Sequence, residues 1–103
     1  MEKYDDKVFV YGILRTGDED RGAILPGYKK FYRTHATITA DEDSFVIGEL
    51  IDVNDEMLHE FDMIEGVDQG YYHKFRVTVL KPDGTEDESW VYQQVVDKNE
   101  EDV

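Results

Sequence analysis

Only one stretch of this sequence, residues 54 to 66, repeats its apolar side chains with a helical period, and that scarcity decides what the chain can build. Met57, Leu58, Phe61 and Ile64 share a face at helical spacing and predict a core-facing stripe. Asn54 or Asp55 can cap the first turn, and Asp55 and Glu56 suit the positive end of the helix dipole. Gly66 is the expected left-handed stop. The rest of the chain carries strand and turn signals. Val8 to Gly12 is β-branched, aromatic and apolar on both faces, which predicts a centrally buried strand. Residues Ile13 to Gly27 hold three glycines, Pro26 and the acidic run Asp18-Glu19-Asp20, and read as loop with at most one helical turn. Tyr28 to Ala40 reads as a strand with Thr34, Ala36, Ile38 and Ala40 on one face. Asp41-Glu42-Asp43-Ser44 reads as a turn, and Phe45 to Val53 as the next strand. His73, Phe75, Val77 and Val79 alternate with Lys74, Arg76 and Thr78, the pattern of a half-buried strand. Lys81-Pro82-Asp83-Gly84 is a hairpin turn, and Ser89 to Val95 its partner strand.

One helix among several strands predicts an α+β fold: a small, mostly antiparallel sheet curled toward a barrel. With 103 residues the chain can close one core, so residues 1–103 are read as a single domain, with a core over about 8–95 and an acidic tail over 97–103. The formal net charge is −14, yet 40% of residues are hydrophobic, which argues against disorder. That charge repels nucleic-acid phosphate and anionic membranes, and Lys29, Lys30 and Arg33 are the only basic cluster that could oppose it. Cysteine is absent, which removes disulfides, thiolate nucleophiles and cysteine-type metal sites. No apolar run approaches the roughly 18 residues of a membrane span, and MEKYDDKVFVYG is no signal peptide, so the expected location is the cytoplasm.

Two features carry chemical potential. The first is Tyr11-Gly12-Ile13-Leu14-Arg15, directly after the buried strand. A glycine there allows a sharp turn that aims successive N–H groups into one concavity, where they can hold an anionic oxygen. The same residues also read simply as a turn glycine leaving a strand. The second is Glu65, at the helix C-terminus before Gly66. The negative end of the dipole and the nearby Asp62 both disfavour its ionisation, which suits a base that takes and returns a proton. Its other reading is an exposed glutamate at a helix end. His35, His59 and His73 are scattered without ligand spacing, so no metal is expected. Trp90 and Tyr92 alternate on the last strand as core or pocket wall.

The order of these pieces carries more than any one of them. Val8-Phe9-Val10-Tyr11-Gly12-Ile13-Leu14-Arg15-x-Gly17 resembles the opening of the gamma-glutamyl cyclotransferase-like family, which typically reads apolar-Tyr-Gly-Ser/Thr-Leu and often continues Arg-x-Gly. Val46-Ile47-Gly48-Glu49-Leu50-Ile51-Asp52-Val53 resembles that family's Val-x-Gly-x-Leu-Tyr-x-Val strand. Leu58 and Phe61-Asp62-x-x-Glu65-Gly66 resemble its helix ending Leu-Asp-x-x-Glu-Gly. Tyr72-His73-Lys74 with Val77 and Val79 resembles its Tyr-x-Arg strand, and Trp90-Val91-Tyr92 its closing strand. Ile13 stands where the family usually has Ser or Thr, Lys74 where it has Arg, and Phe61 where it has Leu. The resemblance, placed in the gamma-glutamylamine cyclotransferase branch, implies intramolecular aminolysis of a γ-glutamyl amine or amino acid with release of 5-oxoproline. It implies Glu65 as general acid/base and no cofactor. It implies substrate binding by Tyr11, Gly12, Ile13, Leu14, Arg15 and Tyr72, the partner being the small γ-glutamyl molecule alone. A catalytically silent small-molecule-binding module on the same scaffold is the alternative, and an acidic adaptor acting through charge a third.

Overall fold

Five strands close into a barrel in the order β1-β3-β2-β4-β5, with one helix packed on the outer wall. The computed structural model describes residues 4–12, 16–32 and 36–95. The strands are β1 (Asp6–Val10), β2 (Gly22–Tyr32), β3 (Ala36–Val53), β4 (Tyr72–Leu80) and β5 (Glu86–Gln94); the helix α1 is Asp55–Glu65. The pairs are antiparallel except β1 with β5, which run parallel through Val8↔Trp90 and Phe9↔Val91. Closure between β2 and β4 rests on a single aligned pair, Ile24↔Leu80.

Strand β1 buries both faces, as its composition predicts. Phe9 and Tyr11 join Leu25, Ile38, Val46, Val79 and Val91 inside the barrel. Val8 and Val10 turn the other way and join Ile51, Val53, Tyr72 and Tyr92 beneath α1. The helix begins where expected: Asn54 Oδ1 accepts the Met57 N–H at 2.8 Å, and Gly66 ends it at φ 71°. Its stripe is narrower than predicted. Met57, Leu58 and Phe61 pack on the wall, but Ile64 is 65% exposed. The apolar contact of α1 with the wall therefore runs from Met57 to Phe61, and Ile64 faces away from it.

Several boundaries differ from the sequence reading. The span 28–40 is not one strand but the end of β2 and the start of β3, paired antiparallel from Tyr28↔Ala40 to Tyr32↔Ala36. Thr34 lies outside the described residues, and Thr37, not Ala40, is buried beside Ile38. Residues 22–27 are strand rather than loop, with Pro26 at the irregularity where Gly27 adopts φ 84°. The loop that precedes them does contain one 3-10 turn, Glu19–Arg21. Asp41 to Ser44 is not a turn: β3 runs through it. Those residues are bulged between the pairs Pro26↔Phe45 and Tyr28↔Ala40, and Asp41 accepts from the Asp43 N–H and the Ser44 hydroxyl. Local carboxylate acceptors gave that segment its turn-like composition; pairing on the other flanks keeps it extended. The strand β5 starts at Glu86, three residues before the predicted Ser89, because the turn is compact: Gly84 N–H donates to Lys81 O and Lys81 N–H to Thr85 O, both at 2.9 Å. His73 is exposed rather than half-buried and bonds Gln93 at 2.7 Å.

The lower end of the barrel is held by Asp6. It accepts from Arg76 at 2.6 Å and from the Trp90 indole at 2.8 Å, and the Lys7 N–H adds a third bond. Partial burial pushes the Asp6 carboxyl up, but the bonds from Arg76, Lys7 and Trp90 outweigh it and hold the group below the usual carboxylate range. A lowered folded-state value means stability that is present above the unfolded value and lost as pH falls through the folded one. Thermal melts from pH 7 toward pH 3 should therefore show a loss at the acid end, accompanied by a change in the fluorescence of Trp90. Asp6→Asn should flatten that acid dependence; an unchanged profile would show that Asp6 contributes nothing to it.

Candidate active site

The site is built where the end of β1 meets the end of α1. Tyr11 follows β1 and is buried; its hydroxyl donates to the carbonyl of Tyr92 in β5. Tyr92 in turn donates its hydroxyl to Asp62 Oδ1 at 2.6 Å, one turn of α1 before Glu65. Tyr72, the first residue of β4, donates to the Ala36 carbonyl at 3.2 Å, and a side chain at Gly12 would touch that same Ala36. Three phenols and the last turn of the helix thus close around one region. Glu65 is half-buried there, and its charge acts on all three rings. Burial is the main reason that Tyr11, Tyr72 and Tyr92 are pushed above the ordinary phenol value. The neighbouring ring adds to it for Tyr11, the Asp62 bond and charge add to it for Tyr92, and Glu65 adds to it for all three. All three therefore keep their protons at neutral pH and remain donors.

Of the residues singled out in the sequence, Tyr11, Gly12, Tyr72 and Glu65 come together. Ile13, Leu14 and Arg15 lie outside the described residues. Gly12 itself is not left-handed, and a Cβ there would meet only Ala36 Cβ at 3.7 Å, an ordinary contact. Position 12 does not need a glycine for backbone reasons, contrary to the expectation from its place after the strand.

The loop after Gly12 is fastened at its far end by Glu49, which the sequence reading passed over. Glu49 is 7% exposed and accepts from Thr16 N–H at 2.6 Å, Thr16 Oγ1 at 2.7 Å and Gly17 N–H at 2.8 Å. A carboxylate in the otherwise apolar run from Phe45 to Ile51 was the signal that could have found it. Lys74 stands where the resemblance has Arg. It bonds Asp62 Oδ2 at 2.6 Å and lies 5.2 Å from the centre of the Trp90 ring, so it pins the helix end to β4. Lys74→Met should lower stability by about 2 kcal/mol, read from thermal melts, because Asp62 loses a charged donor. Lys74→Arg should restore most of it, and equal melts for all three would show the pair to be inert.

Two hollows lie elsewhere among the described residues. One, about 430 Å³, is lined by Asp5, Asp6, Glu86, Asp87 and Glu88 against Lys7 and Arg76. The other, about 510 Å³, opens at the loosely closed seam between β2 and β4 around Leu25, Tyr28 and Val77. Among the described residues no group of three or more His, Asp or Glu side chains could hold a metal ion, and no helix is long and apolar enough to cross a membrane.

The profile of the gamma-glutamyl cyclotransferase, AIG2-like family matches residues 8–103. The chain belongs to this family. A Methanocaldococcus jannaschii protein named as a candidate gamma-glutamylcyclotransferase is 29% identical over 98 residues, spanning 82% of this chain and 81% of its own. The cyclotransferase-like fold recurs in solved structures. A gamma-glutamyl cyclotransferase superposes with a TM-score of 0.75 at 23% identity, covering 87% of this chain and 66% of that one. A solution structure from Arabidopsis thaliana gives 0.72 at 24% identity, covering 91% and 72%. The family's Val-x-Gly-x-Leu landmark has a concrete role in this member: Gly48 admits the Phe9 ring, and Glu49 ties down the loop after β1.

Proposed function

We propose that this cyclotransferase-family protein converts a γ-glutamyl amine or γ-glutamyl amino acid into 5-oxoproline and a free amine. The observation that carries this reading is the convergence of Glu65 with Tyr11 and Tyr72 beside the Gly12 peptide. The substrate brings its own nucleophile, so the protein has to fold it, deprotonate it and hold its oxygens. Glu65 takes a proton from the α-ammonium group. The freed amine attacks the γ-carbonyl carbon, forming the new ring C–N bond. The bond from that carbon to the leaving nitrogen then breaks: Glu65 returns its proton to the leaving nitrogen, and the second proton shed by the ring nitrogen ends on the released amine, which departs as an ammonium. The Gly12 N–H holds a substrate oxygen, and the neutral hydroxyls of Tyr11 and Tyr72 line the pocket without adding charge.

The experiment is direct: incubate the purified protein with a panel of γ-glutamyl amines and γ-glutamyl amino acids and measure 5-oxoproline release. Saturable binding of such compounds without turnover would favour the silent binding module instead. Neither binding nor turnover across the panel would remove both readings.

A further inference from the structure

Lys30 belongs to the one basic cluster of the sequence, and the structure gives it a place that the reaction above does not use. It points from β2 toward the end of β1, where its ammonium lies 3.3 Å from the Tyr11 carbonyl oxygen and 5.6 Å from the centre of the Tyr32 ring. Elsewhere among the described residues Lys74 pairs with Asp62, Arg76 with Asp6 and Glu88, and Lys7 with Asp52 and Asp87. Lys30 meets a neutral carbonyl instead, on a chain whose net charge of −14 repels anions. That carbonyl is special by position. The strand β1 ends at Val10, and Tyr11 C=O is one end of the peptide whose other end is the Gly12 N–H.

A charged donor on a peptide oxygen draws electron density toward it and strengthens the N–H of the same peptide as a donor. In a trans peptide the two groups point to opposite sides, so the ammonium and a ligand held at Gly12 N–H do not compete for space. The full charge also adds an attractive field for any carboxylate at that N–H. We propose that Lys30 is a positioning residue that orients and polarises the Tyr11–Gly12 peptide, so that its N–H holds the carboxylate of a γ-glutamyl substrate or of the 5-oxoproline product. This rests on the cyclotransferase reading for the identity of the ligand.

The test titrates 5-oxoproline into wild type, Lys30→Met, Lys30→Gln and Lys30→Arg by calorimetry at low and high salt, with thermal melts alongside. Lys30→Met should bind about tenfold more weakly while melting within roughly 2 °C of wild type. Lys30→Gln keeps a donor for the Tyr11 carbonyl without the charge and should fall between. Lys30→Arg should bind within about threefold of wild type, and the salt dependence should be flatter in the uncharged variants. Wild-type affinity in Lys30→Gln overturns the role of the charge, even if Lys30→Met fails to fold. Wild-type affinity in Lys30→Met overturns the proposal outright. If wild type binds 5-oxoproline but turns over no γ-glutamyl compound, the catalytic reading fails and the role of Lys30 stands. If wild type does not bind it, both fail.

Discussion

Glu65→Gln should lose about two to four orders of magnitude in 5-oxoproline release while melting like the wild type. That range is the usual yield of a positioned acid/base. Glutamine keeps the shape of the side chain and gives up only the ability to accept and return a proton. Position makes Glu65 the candidate among many acids. It ends α1 one turn after Asp62, whose two oxygens are occupied by Lys74 and Tyr92, and its charge helps push up the phenols of Tyr11 and Tyr72, which are held by the carbonyls of Tyr92 and Ala36. Two assays separate its role from a structural one. The variant should still bind 5-oxoproline, since that contact is assigned to the Gly12 peptide. A control change at exposed Glu60, on the same helix, should leave turnover unaltered. Turnover in Glu65→Gln at the wild-type rate would remove Glu65 as the base.

The largest effect on stability is expected at Gly48. A Cβ there would lie 2.4 Å from the Val10 carbonyl oxygen and 2.7 Å from the end of the Phe9 ring, both belonging to β1. Neither can yield cheaply. The oxygen is backbone in a paired strand, and Phe9 is 1% exposed in the barrel core. Gly48→Ala should therefore cost about 3 kcal/mol, lowering the melting temperature by roughly 10 to 20 °C, a large part of the margin of a domain this size. The informative comparison is Gly12→Ala, which should melt close to wild type because its methyl meets only an ordinary contact. If Gly48→Ala melts like Gly12→Ala, the close approach of β1 to β3 is not what requires glycine. If Gly12→Ala folds normally and loses ligand binding, the missing side chain at Gly12 serves the ligand rather than the fold.

These contrasts show what kind of information each part of the chain carries. The helix was legible because its signals are local: Asn54 at the cap, a short apolar stripe and Gly66 at the stop act within one element. The strand β1 was legible because only a strand covered on both sides has apolar residues at Val8, Phe9 and Val10 in succession. The segment from Asp41 to Ser44 was misread for the complementary reason. Its side chains satisfy a turn, and only the long-range pairing of β3 with β2 and β1 keeps it extended.

By itself the sequence determined the elements with local causes, the α+β class and the acid at the end of the sole helix, because capping, alternation and periodicity act between near neighbours. Only the tertiary structure decided which groups meet. Tyr11 and Tyr92 are 81 positions apart, Glu49 holds Thr16 from 33 positions away, and Lys30 reaches Tyr11 across 19. Nothing in the local chemistry of those residues specifies their partners. Closure of the barrel brings them within bonding distance, and the same closure gathers the scattered tyrosines and acids of the candidate site.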